Sequence, residues 1–335
     1  MDAYTDEPLV APHLPRDHPI VTKDYSLFTP CINSMVDVVK HWMDDQVDGG
    51  TIYGPSRFGK SSGVNNWLQS LLSERHGSYI PMVIWSHSDG SGSGAVSQFY
   101  GNLLAAAKHS DALTKNNMLT RLHMLIERMV MLAYQGQGRF VVLVIDEAQG
   151  MIQREWLWLV QLHSLLEKER VQLCVISIAS VQIYDEPIGM ALSGGAHAAA
   201  RFMLEQAKFD GICSVEELEF VLSGYDEGTE WPEGSGLSFT AGVAPAAWNQ
   251  GFRMRDYAPQ IWDTMIDALP ERYVGPMEFP MKTVAQTGRH ILLRLSRNVD
   301  PSDITAKESL RKIVDGCGHR QLMALVSAVA PRRLR

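Results

Sequence analysis

Residues 54–61 read Gly-Pro-Ser-Arg-Phe-Gly-Lys-Ser and satisfy the pattern GxxxxGK[ST]. Glycines at that spacing let the backbone wrap an anion with its own N–H groups, and a helix opening at the lysine adds its N-terminal dipole. The lysine then reaches the β- and γ-phosphates of a nucleotide, and the hydroxyl after it ligates Mg2+. The expected phosphate-binding residues are therefore Gly54, Pro55, Ser56, Arg57, Phe58, Gly59, Lys60, Ser61 and Ser62, with Ser61 also a metal ligand. The competing reading is an ordinary glycine turn.

A second constellation complements the first. In VVLVIDEAQ, five apolar residues carry Asp146 to the C-terminal tip of a buried strand, where ligands bind in open α/β sheets. Asp146 is expected to hold the Mg2+ of ATP, and Glu147 to polarise the water that attacks the γ-phosphate. The alternative is an acidic strand-end turn. The run VQLCVISIAS ends in Ser180, with Gln182 beyond it. Ser180 reads either as a strand-end serine or as a group that orients the lytic water. Arg201, just before the next strand, is either a surface arginine or one that projects into a neighbouring subunit's nucleotide. Near the C-terminus Arg320 opens an apolar helix and is the expected nucleotide contact of a lid, with Arg289 competing for that role.

These residues need particular elements to position them. GGTIYG (49–54) predicts a strand entering the glycine-rich loop. Val64, Trp67, Leu68, Leu71 and Leu72 then mark a core-facing helix. YIPMVIW (79–85), FVVLVIDE (140–147) and VQLCVISIAS (171–180) read as further strands, the second built on a continuous apolar run of the kind seen in strands buried on both faces and the third another buried strand. The stretch 202–212 supplies a fifth. Helical spacing appears at 31–47, 119–133 and 154–169, and strands alternating with helices predict a parallel α/β sheet. Ser214 and Glu217 have capping-box spacing at the start of SVEELEFVLSG. Residues 224–246, rich in Gly and Pro, read as a long loop, and helical patterns return at 256–269, 281–297 and 303–329. The expected organisation is a proline-rich extended arm at 1–30, a nucleotide-binding core at 31–223, a Gly/Pro-rich insertion at 224–260 and a helical lid with a basic tail at 261–335.

Composition narrows the class. The 335 residues carry 30 Lys+Arg against 38 Asp+Glu, a net charge of −8, so contact with nucleic acid must rest on a local basic patch. Four scattered cysteines without a CxxC pair exclude a dense disulfide framework and an obvious zinc site. The first 30 residues lack an apolar signal segment, and no stretch approaches the roughly 20 apolar residues of a membrane span, so a cytoplasmic protein with no membrane partner is expected.

The phosphate loop, the Asp-Glu pair, the polar strand tip, the arginine before the fifth strand and the helical C-terminal part together resemble the AAA+ ATPases. Within them, GPSRFGKSSGVNNWL, VLVIDEAQ, SIASVQI and RFMLEQAKFDGICSVEELEFVL are similar to the transposition regulators of the TnsC/TniB/MuB group. The resemblance covers about residues 30–220 and, more loosely, 281–329. Ala179-Ser180 stands where that group usually has Gly-Thr. The compact length resembles regulators from Tn-seven-like elements, including those coupled to CRISPR effectors.

The resemblance implies a five-stranded parallel AAA+ sheet with a small helical lid, Mg-dependent ATP hydrolysis, and a homo-oligomeric ring or filament around double-stranded DNA. It also implies that the protein links a target-selector protein to the transposase subunits. The segment 107–128, which matches the channel-lining region of such rings, offers Lys108, Lys115, Asn116 and Arg121 as phosphate contacts, or else a solvated helix face. Arg332, Arg333 and Arg335 form a second basic cluster. Two other functions compete: an AAA+ replication initiator or helicase loader, and a P-loop small-molecule kinase. The second predicts a monomer indifferent to DNA, and the Asp-Glu pair argues against it.

Overall fold

The computed structural model describes residues 9–87, 95–112, 114, 117–136, 138–181, 183 and 186–329. The chain divides into two compact units: one of residues 32–56 and 60–209, the other, within the described residues, of 9–31, 57–59 and 210–329.

The first unit is built on five parallel strands: β1 (Gly49–Tyr53), β2 (Met82–Ser86), β3 (Phe140–Asp146), β4 (Gln172–Ala179) and β5 (Glu205–Lys208). Their order is β2-β3-β4-β1-β5. The strand that feeds the glycine-rich loop therefore neighbours β4, and β4 separates it from the strand that carries Asp146. In β3 and β4 every residue after the first is buried, because helices cover both faces. One face carries a core that includes Trp156, Leu162, Tyr100, Leu125 and Phe202. On the other, the Trp42 ring of helix Pro30–Asp44 lies over Gly50, and Leu68 and Leu72 are fully buried.

The helix after the loop runs 60–76 with a wider π turn at Val64–Leu68. A further helix, Val96–Ala106, occupies a stretch for which the sequence predicted no element. β2 begins at Met82, three residues later than expected, since its ladder with β3 starts at Val142.

The second unit corrects several expectations. The arm before residue 31 is not simply extended. Pro19 opens a short helix, Pro19–Thr22, where a missing N–H costs nothing, and the His18 imidazole caps it by accepting from the Ile20 N–H. Ala11, Leu14, His18, Ile20 and Leu27 are buried. Ser214 and Glu217 form the anticipated reciprocal cap of helix Val215–Asp226, although Glu217 reaches back to the Cys213 N–H. That helix lies in the second unit, since the sheet unit ends at Phe209. The expected Gly/Pro-rich insertion at 224–260 contains two short helices, Phe239–Val243 and Pro245–Asn249, and a 3-10 turn at Met254–Tyr257. Asp226 organises them: buried at the end of its helix, it accepts from Thr240 Oγ1 at 2.7 Å and from the Met254 and Arg255 N–H groups at 3.1 Å each. The pattern at 303–329 is three helices rather than one, Pro301–Thr305, Lys307–Gly316 and His319–Val329, because Ala306 is extended and Gly318 is left-handed. The basic cluster at 332–335 lies outside the described residues.

Candidate active site

The glycine-rich loop leaves β1 at its C-terminal edge, where the Gly54 N–H donates to the Ala179 carbonyl oxygen at 3.2 Å. A Cβ at Gly54 would stand 2.5 Å from the Phe209 carbonyl oxygen, so only glycine fits that approach. Arg57 (φ 73°) and Gly59 (φ 109°) both take positive φ, which turns the loop back on itself before Lys60 begins the helix. Ser56 and Arg57 are exposed and Phe58 is buried.

Lys60 is curled into this loop. Its ammonium donates to the Gly54 and Pro55 carbonyl oxygens at 2.7 Å each. Burial pulls its pKa down to about 8, against the raising effect of the Glu147 and then the Asp146 carboxylates. A half-buried cation satisfied only by loop carbonyls, with two carboxylates near, is arranged for an anion to bind beside it.

Asp146 ends β3 with its side chain buried, and Oδ1 accepts from the Glu147 N–H at 3.0 Å. Glu147 is exposed and left-handed (φ 58°, ψ 37°), so the chain turns sharply at the strand tip. Its Oε2 accepts from Gln149 Nε2 at 2.5 Å, and Gln149 Oε1 accepts from the Ser180 N–H at 3.0 Å. Ser180 sits just past the end of β4, and its buried Oγ has no hydrogen-bond partner. That orphaned hydroxyl suits a polar ligand at the strand tips.

The donor set also fits magnesium. Among the described residues no cluster of three or more His, Cys, Asp or Glu is placed to cage a metal. Mg2+ typically takes one or two protein oxygens and completes its shell with water and phosphate oxygens. Ser61 and Asp146 would be those protein ligands.

The remaining expected site residues are spread out. Arg201 closes helix Ala196–Phe202, and its Nε lies 3.9 Å from Asp48 Oδ2, whose Oδ1 in turn pairs with His163 Nε2 at 3.1 Å. Arg320 is exposed in the first turn of helix His319–Val329. Arg289 is buried and committed elsewhere, donating to the Ile20 carbonyl oxygen at 2.6 Å and to that of Val21 at 3.2 Å. Those bonds make it a fastener of the N-terminal segment, not a free lid arginine.

Of the expected DNA contacts, Lys108 is exposed in a left-handed turn after helix Val96–Ala106. Lys115 and Asn116 lie outside the described residues, as does Gln182. Arg121 departs from expectation: it is half-buried and folds back to donate to the Ser97 and Thr114 carbonyl oxygens at 2.8 and 3.1 Å. Arg128 does likewise to the Ala107 carbonyl at 2.9 Å.

Sequence reasoning passed over two groups at the strand tips. Gln149 stands two residues after Glu147 in DEAQ, a signal present in the motif itself. The other is a nearly buried pair, His87 Nε2 to Glu155 Oε2 at 3.0 Å, with the His87 N–H on the Asp146 carbonyl oxygen. Its members are separated by 68 positions, and nothing local signals their meeting.

The sheet order, the loop and the strand-tip acids together make a five-stranded parallel α/β fold of the P-loop kind. Solved structures agree at that level. The ORC2 protein of Aeropyrum pernix, in ADPNP–ADP complexes, is similar with a TM-score of 0.56 at 10% identity over 90% of this chain and 72% of that one. Drosophila ORC bound to DNA is similar with a TM-score of 0.51 at 12% identity over 89% and 68%. No protein-family model and no curated protein matches the sequence. Among the described residues, no helix is long and apolar enough to cross a membrane.

Proposed function

We propose that the chain is an Mg-dependent ATPase of the AAA+ class that oligomerises on duplex DNA and links target selection to the transposase in DNA transposition. The observation that carries the ATPase reading is the meeting of Lys60, Asp146, Glu147 and Ser180 at the C-terminal edge of one sheet. Lys60 exchanges its loop carbonyls for β/γ-phosphate oxygens, with the N–H groups of 54–62 around them. The metal, held by Ser61 and Asp146, would neutralise charge on the phosphates. Glu147 takes a proton from the attacking water, and Ser180 Oγ supplies a hydrogen bond at the γ-phosphate.

Oligomerisation rests on Arg201. It lies at the edge of the sheet where β5 begins, whereas the phosphate loop lies where the parallel β1 ends. Five residues of strand, roughly 17 Å, separate the two edges. A nucleotide served by Arg201 therefore belongs to another copy of the chain.

The transposition reading draws on the sequence resemblance to the TnsC/TniB/MuB group, and duplex DNA, a target selector and transposase subunits are the partners it brings. The likeness in fold to ORC proteins favours a second reading equally, a replication initiator or helicase loader. One experiment addresses both: electron microscopy and ATP turnover with duplex DNA, without nucleotide and with ADP or a non-hydrolysable ATP analogue, followed by addition of cognate transposase or helicase. ATP-dependent assemblies that retain transposase support the first reading and retention of the helicase the second. A monomer indifferent to both ATP analogue and DNA overturns both.

A further inference from the structure

Gln149 spends both ends of its side-chain amide on two neighbouring strand tips. Its Nε2 donates to the Glu147 carboxylate beyond β3, and its Oε1 receives the Ser180 N–H beyond β4. The side chain is exposed, so no core packing accounts for its placement. Glu147 meanwhile sits in a left-handed conformation that is strained for a non-glycine residue, and such strain persists where surroundings fix it. We propose that Gln149 is a positioning residue for hydrolysis, aiming the Glu147 carboxylate and tying that aim to the tip of β4.

This rests on the ATPase reading above and deepens it. In the step itself, a water oxygen forms a bond to the γ-phosphorus as the bond from that phosphorus to the β,γ-bridging oxygen breaks. The electron pair stays with ADP, and the water proton passes to Glu147. With Oε2 held by the Gln149 amide, Oε1 is the oxygen left to face the water. A carboxylate held by one oxygen has a fixed direction, whereas a free glutamate samples several rotamers. Misplacing a catalytic group by about 1 Å costs around a hundredfold in rate. Because the amide's other end is on the Ser180 N–H, movement of the β4 tip, where Ser180 Oγ would meet the γ-phosphate, is passed directly to the base.

Two substitutions separate the two ends. Gln149→Met removes both hydrogen bonds at nearly constant volume. Gln149→Glu keeps an acceptor for the Ser180 N–H but loses the donor to Glu147. Steady-state turnover with duplex DNA should fall about 10- to 100-fold in kcat for both, with KM for ATP and affinity for a non-hydrolysable analogue within about twofold of wild type. In a Glu147→Gln background, either substitution should cost nothing further, because a residue that acts only through Glu147 has nothing left to aim. A merely structural Gln149 would lower analogue affinity and would still reduce activity in that background. If Glu147→Gln is inactive while both Gln149 variants turn over within twofold of wild type, the tether is overturned and the ATPase reading stands. If Glu147→Gln turns over like wild type, the base assignment falls and takes the tether with it.

Discussion

Lys60 Nζ and the Gly54 carbonyl oxygen stand 2.7 Å apart, so the cation that should serve a phosphate is held by the loop that would surround it. Phosphate binding is then an exchange of partners for a charge already desolvated, with Nζ leaving the Gly54 and Pro55 carbonyls for anionic oxygens. Lys60→Ala removes the main counter-charge, and charge-assisted hydrogen bonds contribute roughly 1.5–3 kcal/mol each. Titration with a fluorescent ATP analogue should show affinity lowered by about a hundredfold or more, and unchanged affinity would refute the loop assignment.

Arg201 is predicted to act on a neighbouring subunit. Arg201→Ala and Asp146→Asn should each have low turnover. A mixture of the two should recover part of the wild-type rate, because some interfaces then join an intact metal site to an intact arginine. Turnover measured across mixing ratios should pass through a maximum. A flat line between the two low values would show that the arginine does not act in trans.

Two basic residues within 107–128 should behave differently. Arg121 donates to the Ser97 and Thr114 carbonyls, so Arg121→Ala strips two hydrogen bonds and should lower the thermal midpoint by a few degrees, the equivalent of about 1–2 kcal/mol. Lys108 is exposed, and Lys108→Glu should leave the midpoint unchanged. If Lys108 grips DNA phosphates, that variant should weaken binding across all sequences and reduce the log–log salt slope by about one contact. Calorimetry and salt-dependent titrations of the two variants check both halves.

How much of this was legible in the chain can be argued residue by residue. Strands β3 and β4 announce themselves as largely apolar runs ending at Asp146 and just before Ser180, because a strand covered on both faces leaves little polar alternation to misread, whereas β1 (Gly-Gly-Thr-Ile-Tyr) is legible from the glycine-rich loop it enters. The phosphate loop is legible for the opposite reason: its chemistry resides in the backbone, and the glycines that permit it are visible in sequence. Arg121 was misread because its partners are carbonyl oxygens, which carry no side-chain signature. The burial of Ile20 and Leu27 was hidden because neighbours such as Arg289 and Gly224 lie about 200 to 270 positions away. Helix Val96–Ala106 carries five buried residues in eleven but follows a glycine- and serine-rich run, which obscured where its period begins.

His319 gives a prediction in pH. Its ring is fully buried, edge-on to Phe279 with centroids 5.1 Å apart, and Nδ1 lies 3.1 Å from Thr283 Oγ1. Burial pulls its pKa down to about 4, with Asp315 acting in the opposite direction. The folded state therefore prefers the neutral ring. Between the usual histidine value and about 4 the unfolded chain binds the extra proton, so stability is full above that window and falls as pH drops through it. Urea unfolding monitored from pH 7 to 4 should show a falling midpoint, and His319→Gln should flatten that dependence. An equally steep fall in the variant would place the acid sensitivity elsewhere.

The bond from Arg289 to the Ile20 carbonyl spans 269 positions, and the Tyr25 and Tyr225 hydroxyls meet across 200. On the ribosome, then, the segment around Ile20 and Tyr25 emerges long before the residues that hold it in place. At about 5–20 residues per second the wait between making Ile20 and making Arg289 is on the order of 10–50 s. During that time Ala11, Leu14, Ile20 and Leu27 wait for the part of their unit that lies beyond Phe209, while every strand of the sheet has already been made. Synthesis thus imposes an order on the two units.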